Sequence, residues 1–178
     1  MNPACTEWFR AFSVFCFQTF DAYVDRWVTI NEPWCIAALG YGSGVHAPGD
    51  TSAPDTAPYR VAHHLILAHA LAFREYKRTG GTKPIGITLN AEWPEPWDAR
   101  CHGACERQLA FTLGWFAEPI FGAGDYPLEM RRRVGTRLPY FTDAERERVQ
   151  NSSDFFGLNW YTTRMCADKT HWNTVRAI

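Results

Sequence analysis

The chain has 178 residues, enough for one domain with its own core. Apolar residues make up 46% and aromatic residues 15%, which excludes a disordered chain. Lys and Arg number 18 against 19 Asp and Glu, a net charge of −1, so neither nucleic acid nor an anionic membrane surface is expected as a partner.

Smaller signals agree with that exclusion. The run Arg131, Arg132, Arg133 has no aromatic platform beside it and reads as a solvated helix end. No stretch of about 18 apolar residues is present, so no membrane span is expected. The first residues, Met1-Asn2-Pro3-Ala4-Cys5, lack a basic region followed by an apolar one. No secretory signal is therefore expected, and the predicted location is cytoplasmic. Cysteines at 5, 16, 35, 101, 105 and 166 form no CxxC pair and no regular framework, as expected of reduced thiols. The stretch Cys101-His102-Gly103-Ala104-Cys105 lacks zinc-site spacing and a second ligand pair. No metal and no other cofactor is expected.

The first predicted element is a helix over 6–20. Trp8, Phe9, Phe12, Phe15, Cys16 and Phe20 recur at spacings of three and four, predicting one wide apolar face. A strand over 26–30 follows and runs into Asn31, Glu32 and Pro33. From Pro33 to Pro58 the many glycines and prolines predict a long loop, of a length that is usually functional. A helix over 59–78 follows, with Val61, Leu65, Ala68 and Ala72 at helical spacing, and Gly80-Gly81 ends it. The second strand, 85–89, ends on Asn90. It opens into a loop broken by proline, Glu92-Trp93-Pro94-Glu95-Pro96-Trp97.

A third helix is predicted over 104–116, broken by Pro119, Gly122 and Gly124, with a short helix over 128–134. Thr142 and Glu145 have capping-box spacing and start a small helix that reaches about 150. The last strand, 155–160, has Asn159 and Tyr161 near its C-terminal end. Strands separated by helices predict parallel pairing. Each strand carries polar residues at its C-terminal end, the face where barrels of alternating strands and helices build their sites.

At this point the motifs resemble a known family. "TINEPW" with "GYGSGVHAPG" is similar to the fourth-strand region of glycoside hydrolase family 1, the retaining β-glucosidases and their relatives. The similarity continues in order through "HHLILAHALAFREYK", "IGITLN", "GWFAEPIF", "GDYPLEM", "LPYFTDAE" and "SSDFFGLNWYTT". In its details it most resembles intracellular fungal members. The resemblance implies an α/β fold: a partial (β/α)8 TIM barrel over 1–165, covering roughly the fourth to sixth strands with their helices. Residues 166–178 do not resemble the family and read as a divergent tail, such as a sequence running past a lost splice site.

The resemblance also implies roles. Glu32 would be the general acid/base, protonating the glycosidic oxygen and then activating water. Asn31 would hydrogen-bond the sugar 2-hydroxyl, and Trp34 would form an aromatic platform near the aglycone. Tyr161 would orient the nucleophilic carboxylate, with Asn159 beside it. His63, His64 and His69 on one helix are read as structural, because the family has a similar helix and no metal. The implied partner is a β-glucoside or another small saccharide.

Departures from the family pattern matter as much. A retaining glycosidase needs two carboxylates roughly 5–5.5 Å apart. The seventh-strand Thr/Ile-Glu-Asn-Gly motif that carries the nucleophile does not occur in these residues. Neither do the sugar-binding Gln and His-Trp of the early strands, nor the eighth-strand Glu-Trp. Asp154 begins its strand and is expected at the opposite end from Glu32, while Glu92 and Glu95 lie at the correct end on a loop without an orienting partner. Residues 21–25, Asp-Ala-Tyr-Val-Asp, stand where the family reads Gly-Asp-Arg-Val-Lys and lose a helix-ending glycine. The chain alone is expected to lack turnover. Two other readings stand beside this: a non-catalytic carbohydrate-binding remnant, and a protein that self-associates through open strand edges, since three strands cannot close a barrel of eight.

Overall fold

The computed structural model describes residues 2–168. The last part of the expected tail, 169–178, lies outside the described residues. Three strands, β1 (Trp27–Asn31), β2 (Ile85–Pro96) and β3 (Phe156–Cys166), form one parallel sheet in the order β1-β2-β3. Helix α1 (Cys5–Phe20) precedes β1, and α2 (Ala57–Arg78) crosses from β1 to β2. Between β2 and β3 lie α3 (His102–Leu109), a π-helical stretch (Ala110–Gly114), α4 (Trp115–Phe121), α5 (Leu128–Val134) and α6 (Asp143–Val149). The alternation of strand and helix gives the parallel, unclosed α/β arc that the sequence leads one to expect.

The core lies between the sheet and α2. Ile85, Ile87 and Leu89 alternate along β2 and are fully buried, as are Val61, Ala62, Ile66 and Ala70 on α2. Each such large side chain contributes about 1.5–3 kcal/mol by leaving water. The three histidines sit on this helix. His63 Nδ1 lies 2.9 Å from the Tyr126 hydroxyl, and His69 Nδ1 lies 2.6 Å from the Thr29 hydroxyl, tying α2 to its surroundings. Burial pushes the His63 imidazole down to about 4 and that of His69 down to about 3.

Polar ties set the N-terminal end of the sheet. Asp154 accepts from the Ile85 N–H at 2.8 Å and from Lys77 at 2.7 Å, so it stands at the start of β2, at the far end from Glu32. Asp21, where the family resemblance leads one to expect glycine, ends α1. Its carboxylate accepts from the Trp27 indole at 2.9 Å and the Tyr76 hydroxyl at 2.6 Å. Those two hydrogen bonds hold the Asp21 carboxyl below its ordinary range.

Several expectations change. The segment after Pro33 begins as a π-helix, Cys35–Ser43, not a loop. Ile36, Ala37, Ala38 and Leu39 favour helix, and Gly40 is there for close approach. A Cβ at Gly40 would meet the Ala47 carbonyl oxygen at 2.8 Å. Pro119 lies inside α4 rather than ending a helix. It is the fifth residue of this seven-residue helix, so its missing N–H leaves one carbonyl of the first turn without an intrahelical partner.

Residues 92–96 of the expected loop continue β2, with Trp93, Pro94, Glu95 and Pro96 paired to Thr163, Arg164, Met165 and Cys166. The Trp97 N–H donates to the Cys166 carbonyl, so the alternate positions 94 and 96 turn away from β3. That side is free because the β1 pairing stops at Asn31 and Thr88, and prolines are tolerated there.

Helix α1 keeps the wide apolar face that its periodicity predicts, and only part of it is covered. Phe9 and Phe17 pack inward, but Trp8, Phe12 and Phe15 are 62%, 61% and 60% exposed. The periodicity reported correctly that the whole helix face is apolar. Among the described residues, β1 is the edge of the sheet and no element covers that side of α1.

Candidate active site

The site is built at the C-terminal ends of the three strands. β1 ends on Asn31, and Glu32 then takes a left-handed backbone conformation with φ 52°. That region is uncommon for residues other than glycine and costs on the order of 1–3 kcal/mol. The Glu32 N–H still donates to the Thr88 carbonyl of β2 at 2.9 Å, and the Glu32 carbonyl accepts from the Cys35 N–H at 2.9 Å. The backbone is therefore pinned on both sides of the turn between the strand and the π-helix.

Both carboxylate oxygens of Glu32 are engaged. Asn159 of β3 donates from Nδ2 to Glu32 Oε1 at 2.7 Å and also reaches Asn31 Oδ1 at 3.0 Å. The Cys35 thiol donates to Glu32 Oε2 at 3.3 Å. The Cys35 thiol is pushed up to about 11, by burial first and then by the hydrogen bond to Glu32 and its charge. The half-buried Trp34 is held by its indole N–H, which donates to the Phe111 carbonyl at 3.1 Å.

These groups border a cavity of about 380 Å³ lined by Glu32, Trp34, Cys35, Asn90, Asn159 and Tyr161, among others. Of the residues named from the sequence, Glu32, Trp34, Asn159 and Tyr161 share this wall, and Asn31 is joined to it through Asn159. Tyr161 is 77% exposed at the mouth. Glu92 lines the cavity too, but its Oε2 accepts from Arg164 Nε at 2.9 Å. Glu95 is turned to the Trp93 indole at 2.8 Å.

Sequence reasoning left out Cys35, Asn90, Gln108, Thr112 and Arg164. Asn90 had a visible signal, a polar residue ending a core strand as Asn31 does, and its Oδ1 is buried without a hydrogen-bond partner among the described residues. Gln108 and Thr112 had none. They reach the wall because α3 passes into its π-helical stretch there, with the Thr112 hydroxyl donating to the Gln108 carbonyl at 2.8 Å. On the other side of Trp34 lies a second cavity, more apolar, bordered by Tyr59, Phe111, Trp115, Pro54 and Pro58. Among the described residues no group of three or more His, Cys, Asp or Glu is placed to hold a metal ion. No helix among them is long and apolar enough to cross a membrane.

A carboxylate fixed at both oxygens, beside an aromatic face and several amides, can exchange a proton with a bound hydroxyl or ether oxygen. The model of glycosyl hydrolase family 1 matches residues 1–176. Beta-glucosidase 1B of Phanerodontia chrysosporium is 45% identical over 164 residues, which cover 85% of this chain and 30% of the relative. Beta-glucosidase 26 of Oryza sativa subsp. japonica is 42% identical over 184 residues, covering 97% of this chain and 36% of the relative.

Among solved structures, the rice beta-glucosidase Os3BGlu6 superposes with a TM-score of 0.86 at 40% identity, over 91% of this chain and 37% of that one. The beta-glucosidase of the fungus Humicola insolens, solved in complex with glucose, gives 0.82 at 38% identity, over 87% and 35%. The chain thus spans about a third of the length of the relatives it matches.

Proposed function

The chain belongs to glycosyl hydrolase family 1, and from that premise we propose that it carries the acid/base half of a retaining β-glucosidase site. Its fold is a partial α/β barrel. In this reading Glu32 gives its proton to the glycosidic oxygen as the bond to the sugar breaks. As a carboxylate it then takes a proton from the attacking water. Asn159 and Cys35 hold its two oxygens in place. Asn31 meets the sugar 2-hydroxyl, and Trp34 separates the sugar from the apolar cavity where an aglycone would lie. The observation that carries the reading is Glu32 itself, strained at φ 52° and held at both oxygens beside a saccharide-sized cavity.

Retention needs a second carboxylate as nucleophile. Glu92 is the other carboxylate on this cavity wall, and Arg164 holds one of its oxygens. We therefore propose that a polypeptide of these 178 residues binds a saccharide weakly and does not turn it over. The test is hydrolysis of an aryl β-glucoside by the purified chain beside Glu32→Gln and Glu92→Gln, with glucose binding followed by NMR. Saturable binding that weakens in Trp34→Ala, without hydrolysis, is the expected result. Hydrolysis lost in both carboxylate variants would overturn the inactivity and name Glu92 as nucleophile. Absence of both binding and hydrolysis in a folded chain would overturn the saccharide site.

A second reading has its own observation. Phe156, Leu158 and Trp160 on one face of β3 are 45%, 48% and 56% exposed, at an open sheet edge. Such a surface favours association of the polypeptide with itself. Light scattering that shows concentration-dependent growth supports this; a monomer at every concentration removes it.

A further inference from the structure

Away from Glu32, three buried cysteines gather where α3 meets the end of β3. Cys101 precedes α3, Cys105 lies in its first turn, and Cys166 closes β3. Cys105 and Cys166 share one small buried cluster with Ala104, and burial, with the neighbouring Cys105, raises the pKa of the Cys166 thiol. The Cys166 thiol donates to Gln108 Oε1 at 2.8 Å. Cys101 is turned elsewhere, its thiol donating to Asp98 at 3.6 Å.

We propose that Cys105 and Cys166 are a redox-active pair that peroxide closes into a disulfide, stapling the end of β3 to α3. The pair is 61 positions apart in sequence, so no CxxC spacing betrays it. Both residues are buried but not sealed, each retaining 8% exposure, so a small oxidant has a short path to the pair. In the first step one thiol loses its proton, and the thiolate sulfur attacks a peroxide oxygen. The O–O bond breaks, the departing hydroxide takes the proton as water, and a sulfenic acid is left. The second sulfur attacks that sulfenic sulfur, the S–O bond breaks, and a second water leaves. Two electrons pass from the two sulfurs to the peroxide.

The link has a local consequence. Gln108 loses its S–H donor, and Gln108 is part of the wall shared by both cavities. The wall on that side, held in the reduced chain by the Trp97 N–H to Cys166 carbonyl bond and the Arg107–Asp168 ion pair, becomes covalently fixed. This inference does not depend on the glycosidase reading.

The test treats the purified, reduced chain with stoichiometric hydrogen peroxide and then blocks remaining thiols with N-ethylmaleimide. Peptides are mapped by mass spectrometry without reduction. The expected product is a chain lighter by two hydrogens, with Cys105 and Cys166 peptides joined and released by dithiothreitol. Cys101→Ser keeps the link, whereas Cys105→Ser and Cys166→Ser each abolish it. Hydrogen exchange of residues 160–168 should slow on oxidation of the unmodified chain, a readout that needs no variant to fold. A link through Cys101, a link between chains, or sulfinic and sulfonic products without any link would each overturn the proposal.

Discussion

Asn159 donates its amide to Glu32 at 2.7 Å, so the last strand of the sheet holds the side chain that follows the first. The two residues lie 127 positions apart and on either side of β2. The same amide reaches Asn31 at 3.0 Å, making one hydrogen-bonded bridge over the mouth of the sheet. Charge-assisted bonds of this kind contribute about 1.5–3 kcal/mol when partly buried.

Replacing that donor with an acceptor should be costly. Asn159→Asp sets a second carboxylate against Glu32, and stability at pH 7 is expected to fall by about 1–3 kcal/mol. At pH 4 both chains are less stable, but the gap between variant and parent should narrow as one carboxylate of the pair takes a proton. Urea unfolding at the two pH values measures both effects; a variant as stable as the parent at pH 7 would show that the bridge does not form.

The Cys35 thiol reports on Glu32 without any need for turnover. Its pKa is pushed up to about 11 by burial, and Glu32 adds to that through its hydrogen bond and its charge. Glu32→Gln removes the charge and leaves the burial. Thiolate fraction rises tenfold per pKa unit, so alkylation of Cys35 by iodoacetamide at pH 8.5 should speed up by about 5- to 10-fold. Peptide mapping separates Cys35 from the other five thiols. An unchanged rate would mean that Glu32 and Cys35 do not face each other in solution.

Acid should unfold the chain through its histidines. His63 and His69 have folded pKa values of about 4 and about 3, below the ordinary 6.5. Between pH 6.5 and 4 the unfolded chain binds protons that the folded chain refuses, so stability falls as pH falls. Each histidine removes on the order of 3 kcal/mol by pH 4. Denaturant midpoints at pH 7, 5.5 and 4 should drop steeply, and His69→Gln should be less stable at pH 7 but lose less on acidification. A flat profile in the parent chain would contradict the buried neutral imidazoles.

Arg74 on α2 closes the C-terminal end of α6. Its guanidinium donates to the carbonyls of Arg148 at 3.0 Å, Glu147 at 3.2 Å and Gln150 at 2.6 Å. Those are carbonyls with no partner within the helix, and a cation there also suits the helix dipole. Arg74→Met keeps the apolar stem and loses the donors, an expected cost of about 2 kcal/mol. Amides of α6 should exchange faster in that variant, which hydrogen-exchange mass spectrometry resolves. Unchanged protection of 143–149 would remove this role.

Local signals in the sequence anticipated much of this architecture. The capping box of Thr142 and Glu145 forms as its spacing predicts, because both partners lie within one turn. The strand over 85–89 and the helical period of 59–78 are likewise local. Pro94 and Pro96 misled because whether a proline can sit in a strand depends on which neighbour that strand has lost. The periodicity of Trp8, Phe12 and Phe15 marks an apolar face but does not say what covers it, and all three are exposed.

What the sequence determined by itself is the order of elements and the polar residue at the end of each strand, since a strand's direction and its terminal residues are properties of a short stretch. Tertiary structure alone decided which of these side chains meet. The left-handed turn at Glu32, the reach of Asn159 over β2, the Cys35 thiol at the second carboxylate oxygen and the meeting of Cys105 with Cys166 all depend on strand register and helix placement. Those are set by how buried faces pack across tens of residues, and no spacing within the chain encodes them one residue at a time.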